Sequence, residues 1–313
     1  MSDLSPQHRD EMRAPPTLPA WCHNKPSATA EAAAFRSGAA LAVLHPWLAQ
    51  PVPQVPQALV RDRLALAAAE ACVSAAGRPE RAADLRDEVH LLRPGESPGP
   101  AGAIFVGWRH VVRIRLKGKW QDRVAEALPV TVLPGAVDTL AALPAAGHAD
   151  PVTAAADILI TMRAAQSDID ATALVLSDIA LARALGWHFA VPLLANGLSR
   201  ADLRREDGAL GVACHRAVTA AAEKTCLLLR ALSARAAHLR QVAPKLRAKT
   251  ARAALDVFLS EDAVAPPIAL APYIRGTHVP MTDRAARRLC DRLVDLGAVR
   301  ELTGRSSFRL YGL

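Results

Sequence analysis

Aromatic residues are scarce: five Phe, five Trp and two Tyr make up 4% of 313 residues. Strands favour aromatic and β-branched side chains, so this scarcity argues against an all-β fold. Cysteine is sparse too, with Cys22, Cys72, Cys214, Cys226 and Cys290 scattered and no CxxC among them. An odd, irregular set excludes a disulfide framework and a zinc-ligand pattern, so reduced thiols are expected. The chain has no apolar run long enough to span a bilayer. Residues 184–199 come nearest but contain His188, Pro192 and Asn196. The first residues carry Asp3, Asp10 and Glu11 without an apolar stretch, which excludes a secretory signal. The expectation is a soluble cytoplasmic protein. HExxH, GxSxG and P-loop patterns are missing as well. No catalytic residue, metal ligand or cofactor is assigned, and an enzyme is the less favoured reading.

What is present is alanine, 66 residues of it, within a 51% hydrophobic composition. The fold class expected is mainly α, with alanine letting helices approach closely. Residues 1–26 carry Pro15, Pro16, Pro19 and Pro26 and read as a flexible tail. Helices are then expected over 27–48, 57–76, 79–93, 103–115, 152–165, 169–185 and 209–242, bounded by glycine and proline. On the second of these, Leu59, Leu66 and Val73 form an apolar stripe, with Arg63, Ala67, Glu70 and Ser74 elsewhere. The loop 94–102 is rich in glycine and precedes a helix, yet its prolines remove the N–H donors a phosphate cradle needs. It reads as a rigid connector. Asp84, Asp87 and Glu88, beside Arg81 and Arg86, read as a solvated face. Cys214 and His215 are adjacent and point about 100° apart on a helix, a poor geometry for shared ligation. Asp157, Thr153 and Thr161 share one polar stripe.

Net charge is +8, carried by 32 arginines and only 6 lysines. Much of that arginine is background in an alanine- and proline-rich composition. Its placement says more: residues 244–313 hold a net +5, and residues 1–243 only +3. The stretch from Arg235 to Arg252 also contains Arg235, His238, Arg240, Lys245, Arg247, Lys249 and Arg252 with no acid.

The final segment has its own texture. A helix is expected over 246–260, a short second one around 268–274, and a third from Thr282 to Leu296, stopped by Gly297. The third presents Ala286, Leu289, Cys290, Leu293 and Leu296 on one side and Arg284, Arg287 and Arg288 on the other. A β-hairpin with Gly304 in its loop follows, over 298–311. Three helices and a hairpin is the order of a winged helix-turn-helix. The organisation expected is therefore a tail (1–26), an α-helical domain (27–243) and a winged-helix-like domain (244–313). The candidate partner is DNA, contacted by Arg284, Arg287, Arg288 and Arg305 with Lys245, Arg247 and Lys249. The alternative is a scaffold whose winged helix docks a protein partner.

Several stretches resemble an uncharacterised bacterial family, domain of unknown function 1403. They are Pro98–Gly102 with Ile104, Phe105 and Trp108; Gly186-Trp187 with Ala190–Leu194; Ala243–Lys249; and, most strongly, Asp283–Leu313. The resemblance spans most of the chain and implies no activity. The ending Leu296-Gly297, Arg300-Glu301 and Thr303-Gly304-Arg305 is also similar to the terminal helix-turn-helix of some Fic-type proteins. The Fic histidine loop has no counterpart here, since His188-Phe189 lacks the intervening residue and Asn196-Gly197 runs into Leu198. That similarity transfers no catalytic role.

Overall fold

The computed structural model describes residues 16–22, 29–93, 95–128, 150–165, 171–246 and 250–313. Helices dominate: α1 (Ala30–Leu48), α2 (Gln57–Ala75), α3 (Ala82–His90), α4 (Pro100–Val111), α5 (Trp120–Ala127) and α6 (Pro151–Ala165). They continue with α7 (Ala171–Ala184), the short α8 (Leu194–Gly197), α9 (Asp207–Val242), α10 (Ala251–Phe258) and α11 (Asp283–Asp295). Two strands, β1 (Arg300–Glu301) and β2 (Tyr311–Gly312), close the chain.

Local chemistry sets the boundaries. The Thr29 side chain accepts the Ala32 N–H at 3.2 Å and opens α1. The fourth helix starts at Pro100, earlier than the expected Ala103, because a first-turn proline gives up an N–H that has no helical partner. Gly297, at φ +66, ends α11. Its N–H bonds Val294 O at 2.8 Å and the Ala298 N–H bonds Leu293 O at 2.9 Å. The helix expected around 268–274 is instead a single π-helical turn, Pro266–Leu270. Ala271 precedes Pro272 and is extended (φ −131, ψ 149), as that position demands, so the turn cannot continue.

α9 is the spine. Its 36 residues run about 54 Å and pack against α1, α6 and α8. The buried side of α9 is largely small (Ala213, Ala217, Ala221, Ala222), and α1 meets it with Ala33, Ser37, Ala40 and Leu44. α7, paired with α6, buries every residue from Thr172 to Ala182, as a helix apolar on all sides should. Asp178 interrupts that apolar surface. Its Oδ1 accepts the Leu193 and Leu194 N–H groups at 2.9 and 2.8 Å, and Oδ2 the Ala195 N–H at 3.1 Å. These are the donors that the start of α8 leaves without helical partners.

α8 in turn presses on α9 at Gly197, where a Cβ would meet the Ala217 carbonyl and sit 2.7 Å from its Cα. Backbone faces backbone, so neither side can yield by changing a rotamer. Gly197→Ala is expected to destabilise the fold by about 3 kcal/mol. A melting temperature within about 2 °C of the parent would show that α8 has slack.

One apolar core runs from Leu18 to Leu313 and includes residues on both sides of Pro244, among them Leu239, Phe258, Val264, Leu293 and Tyr311. Beyond Pro244, Val264 pairs with Tyr311 through N–H···O bonds of 2.8 and 3.0 Å. Arg300 lies opposite Gly312, and Glu301 opposite Tyr311, in antiparallel register. The order across this small ribbon is Val264, β2, β1.

Candidate nucleic-acid interface

α11 turns Ala286, Cys290 and Leu293 into the core and leaves Arg284, Arg287, Arg288 and Arg292 exposed. Thr282 caps it by accepting the Ala285 N–H at 3.3 Å. Arg287 pairs with Asp283 one turn back, at 2.9 Å. Exposed pairs of that kind contribute only about 0.3–0.5 kcal/mol, so Arg287 remains exchangeable toward another anion. Arg284 and Arg288 form no ion pair among the described residues. Asp291 and Asp295 occupy the second half of the exposed side, so the positive surface lies in the first two turns.

The remaining candidates are dispersed. Lys245 is exposed in the turn after α9, while Arg247 and Lys249 lie outside the described residues. Arg305 faces inward: its two terminal nitrogens donate to both Asp87 oxygens on α3 at 2.8 and 2.9 Å, and Nη2 also reaches Phe308 O at 2.9 Å. It pins the β1–β2 loop to α3. The tip of that loop, Ser306 to Arg309, is exposed.

Asp87 and Arg86, expected on a solvated face, are thus engaged across the fold. Behind the ribbon lies a buried ionic network. Asp62 on α2 accepts Arg109 Nε and Arg113 Nη2, both at 3.0 Å, and the Asp262 N–H at 2.8 Å. Asp262 takes Arg63 and Arg86 as ion partners, the latter also through Nη2 at 3.3 Å. Glu261 pairs with Arg275 and lies 3.5 Å from Arg109 Nη2. Burial disfavours the charge on Arg109, but Asp62, Glu261 and Asp262 outweigh it and hold the guanidinium more firmly protonated than usual. For Arg63 burial wins over Asp262, and Arg86, Arg300 and Arg235 add repulsion, so its pKa falls. His90, 2% exposed, is pushed well below the ordinary range by burial and by the surrounding arginines; it is a neutral imidazole.

Sequence reasoning missed this network, although one signal was there. Asp62 stands three residues after Leu59 and four before Leu66, inside the apolar stripe of α2.

A second polar cluster joins α1, α9 and the start of α6. Ser37 Oγ lies 2.8 Å from His215 Nδ1, and His215 Nε2 lies 3.4 Å from Asp150 Oδ2. The residue types are those of a hydrolytic triad. Ser37, however, is 1% exposed in mid-helix, with Oγ also 2.9 Å from Ala34 O. Asp150 is occupied in capping α6 through the Val152 and Thr153 N–H groups. The cluster serves as a polar tie between helices. Burial lowers the His215 pKa against the pull of Asp150, so the imidazole is neutral at pH 7. Cys214 beside it is buried, its thiol pushed by burial to about 12. Asp157 and Thr161 are exposed, with the threonine hydroxyl donating to Asp157 O at 2.7 Å. Among the described residues no group of three or more His, Cys, Asp or Glu could hold a metal ion. No helix among them is long and apolar enough to cross a membrane.

These features define a mainly helical protein with a small antiparallel ribbon at its C-terminal end. The chain belongs to the family described as protein of unknown function (DUF1403), which it matches over residues 6–313. A search of curated proteins finds no match to it.

Proposed function

We propose that the chain binds duplex DNA through α11, with residues 244–313 acting as a winged-helix-like module on a helical body. The observation that carries this reading is the order of elements. A helix (α10) is followed by a one-residue strand at Val264, a reduced second helix at Pro266–Leu270, α11, then β1, a loop and β2. A ribbon ordered Val264, β2, β1 is what that topology requires. In such modules the first turns of the third helix face the major groove, and here those turns carry the exposed Arg284, Arg287 and Arg288. Arg305 has a positioning role, fixing the wing against Asp87. Lys245, exposed after α9, is assigned a phosphate contact, and the sequence alone proposes Arg247 and Lys249 for the same role. A cytoplasmic location is part of the proposal.

Phosphate contacts release counterions, so affinity falls with salt in proportion to the number of phosphates neutralised. Fluorescence anisotropy with a mixed-sequence duplex is expected to give binding at about 50 mM salt that weakens steeply by about 200 mM. Replacing Arg284, Arg287 and Arg288 together by alanine should flatten the log–log salt slope by about 2–3. Equal affinity and slope in parent and triple variant would remove α11 from the interface.

Docking of a protein partner by the same module is the second reading. It is favoured by the exposed aromatics Tyr273 and Phe308, at 59% and 65%, in a chain that has few aromatics. A complex held by these rings would persist at high salt, whereas the DNA complex would not.

A further inference from the structure

Between the last turns of α9 and the link from α11 to β1 lies a solvent-accessible cavity of about 380 Å³. Arg235, His238 and Arg300 line it, together with Ala298, Val299 and Leu313. Its location is set by two ties already formed. His238 Nε2 lies 3.1 Å from Leu296 O, which joins α9 to the end of α11. Arg63, behind the floor, donates to Leu313 O at 2.9 Å.

The charges in this cavity are unbalanced. Neither Arg235 nor Arg300 makes an ion pair or a side-chain hydrogen bond among the described residues, and no Asp or Glu side chain lines the space; the main-chain oxygen of Leu313 is held by Arg63. Asp262, the nearest acid that acts on Arg300, is already engaged by Arg63 and Arg86. Burial and the repulsion of Arg235 and Arg86 depress the Arg300 pKa, with Asp262 offsetting only part. Like charges held around a concave space focus positive potential on whatever enters. Guanidinium groups suit carboxylate and phosphate oxygens, which they bind through paired N–H donors. Beside His238 and two glycines, the remaining lining is aliphatic, from Ala234, Ala298, Val299 and Leu313. The volume lies at the small end of the roughly 300–1,000 Å³ usual for ligand sites.

We infer that this cavity binds a small organic anion, a carboxylate or phosphate monoester on a compact apolar body, held by Arg235 and Arg300. The site is distinct from the α11 arginines and does not rest on the DNA reading. An occupant would touch Gly297 to Arg300 and Arg235 at once, bridging α9 to the ribbon.

The test is calorimetric titration and thermal shift of the full chain at constant ionic strength, using benzoate and phenyl phosphate as probes. Benzyl alcohol serves as the uncharged control and inorganic phosphate as the control without a body. At least one organic anion is expected to bind and raise the melting temperature, with benzyl alcohol inert and inorganic phosphate weaker. Arg235→Gln and Arg300→Gln should each weaken the binding by about tenfold or more. Arg235 is an exposed residue of α9, so its variant is readable even if Arg300→Gln disturbs β1. Three results overturn the inference: neither organic anion binding at millimolar concentration, benzyl alcohol binding equally well, or Arg235→Gln binding like the parent. Inorganic phosphate matching phenyl phosphate would overturn the apolar half of the assignment.

Discussion

Asp262→Ala is expected to cost about 3–5 kcal/mol, the range found when one partner of a buried ion pair is removed. Asp262 is 0% exposed, and its loss strands Arg63 and Arg86, both largely buried. The N–H of residue 262 still reaches Asp62, so the backbone stays in place while two positive groups face each other without an anion. Desolvation then dominates, and the arginines must either pull in water or move. Replacing both partners is a different experiment: Asp262→Ala with Arg86→Met removes a charge of each sign and should recover part of the loss. Urea unfolding at neutral pH measures both. A cost below about 1 kcal/mol for the single variant would mean that water already penetrates the network.

The second large effect concerns Asp178, where a charge is enclosed with no cation. Burial raises its pKa to about 7, against the lowering effect of the three N–H donors from Leu194, Ala195 and Leu193. A folded pKa above the ordinary aspartate value means that the native state holds the proton more tightly than the unfolded chain. The associated stability is therefore complete below about pH 4 and lost as pH rises through about 7. Over that window it amounts to about 4 kcal/mol. Asp178→Ala leaves the Leu194 and Ala195 N–H groups unsatisfied, while Leu193 keeps Val191 O at 2.8 Å, and should cost about 2–4 kcal/mol. Asp178→Asn keeps one carbonyl oxygen but sets an amide NH₂ against a backbone donor, a loss of about 1–2 kcal/mol that does not titrate. The gap between parent and Asn variant, from urea unfolding, should be wide at pH 5 and narrow or inverted at pH 8. A constant gap would mean that Asp178 is ionised throughout.

Elements whose limits are set by local chemistry were legible. Proline at a first turn, glycine at a stop and small residues spaced by three and four placed α1, α2, α6, α7, α9 and α11 to within a few residues. The 268–274 helix failed for a local reason too, since Pro272 dictates the conformation of the residue before it. What could not be read was which charge meets which. Arg86 and Asp87 look like solvent-facing helix residues in any short window, but one meets Asp262 and the other Arg305. The cavity is harder still, because residues near 235, 298 and 313 have no common periodicity. Arg284, Arg287 and Arg288 were found exposed where the α11 stripe put them. The inward turn of Arg305 depends on a helix more than two hundred positions earlier.

The Asp62–Asp262 bond spans 200 positions, and that separation bears on how the molecule is made. During synthesis α2, α3 and α4 emerge long before residue 262. Until then Arg63 and Arg86 have no counter-charge, and the helices that carry them cannot close their interior as they do in the finished chain. Joining such distant segments carries a loop-closure entropy that short-range helix pairs avoid. Folding on the ribosome is thus expected to pause with α1 to α9 loosely assembled. The last sixty residues complete the interior of the helices made first.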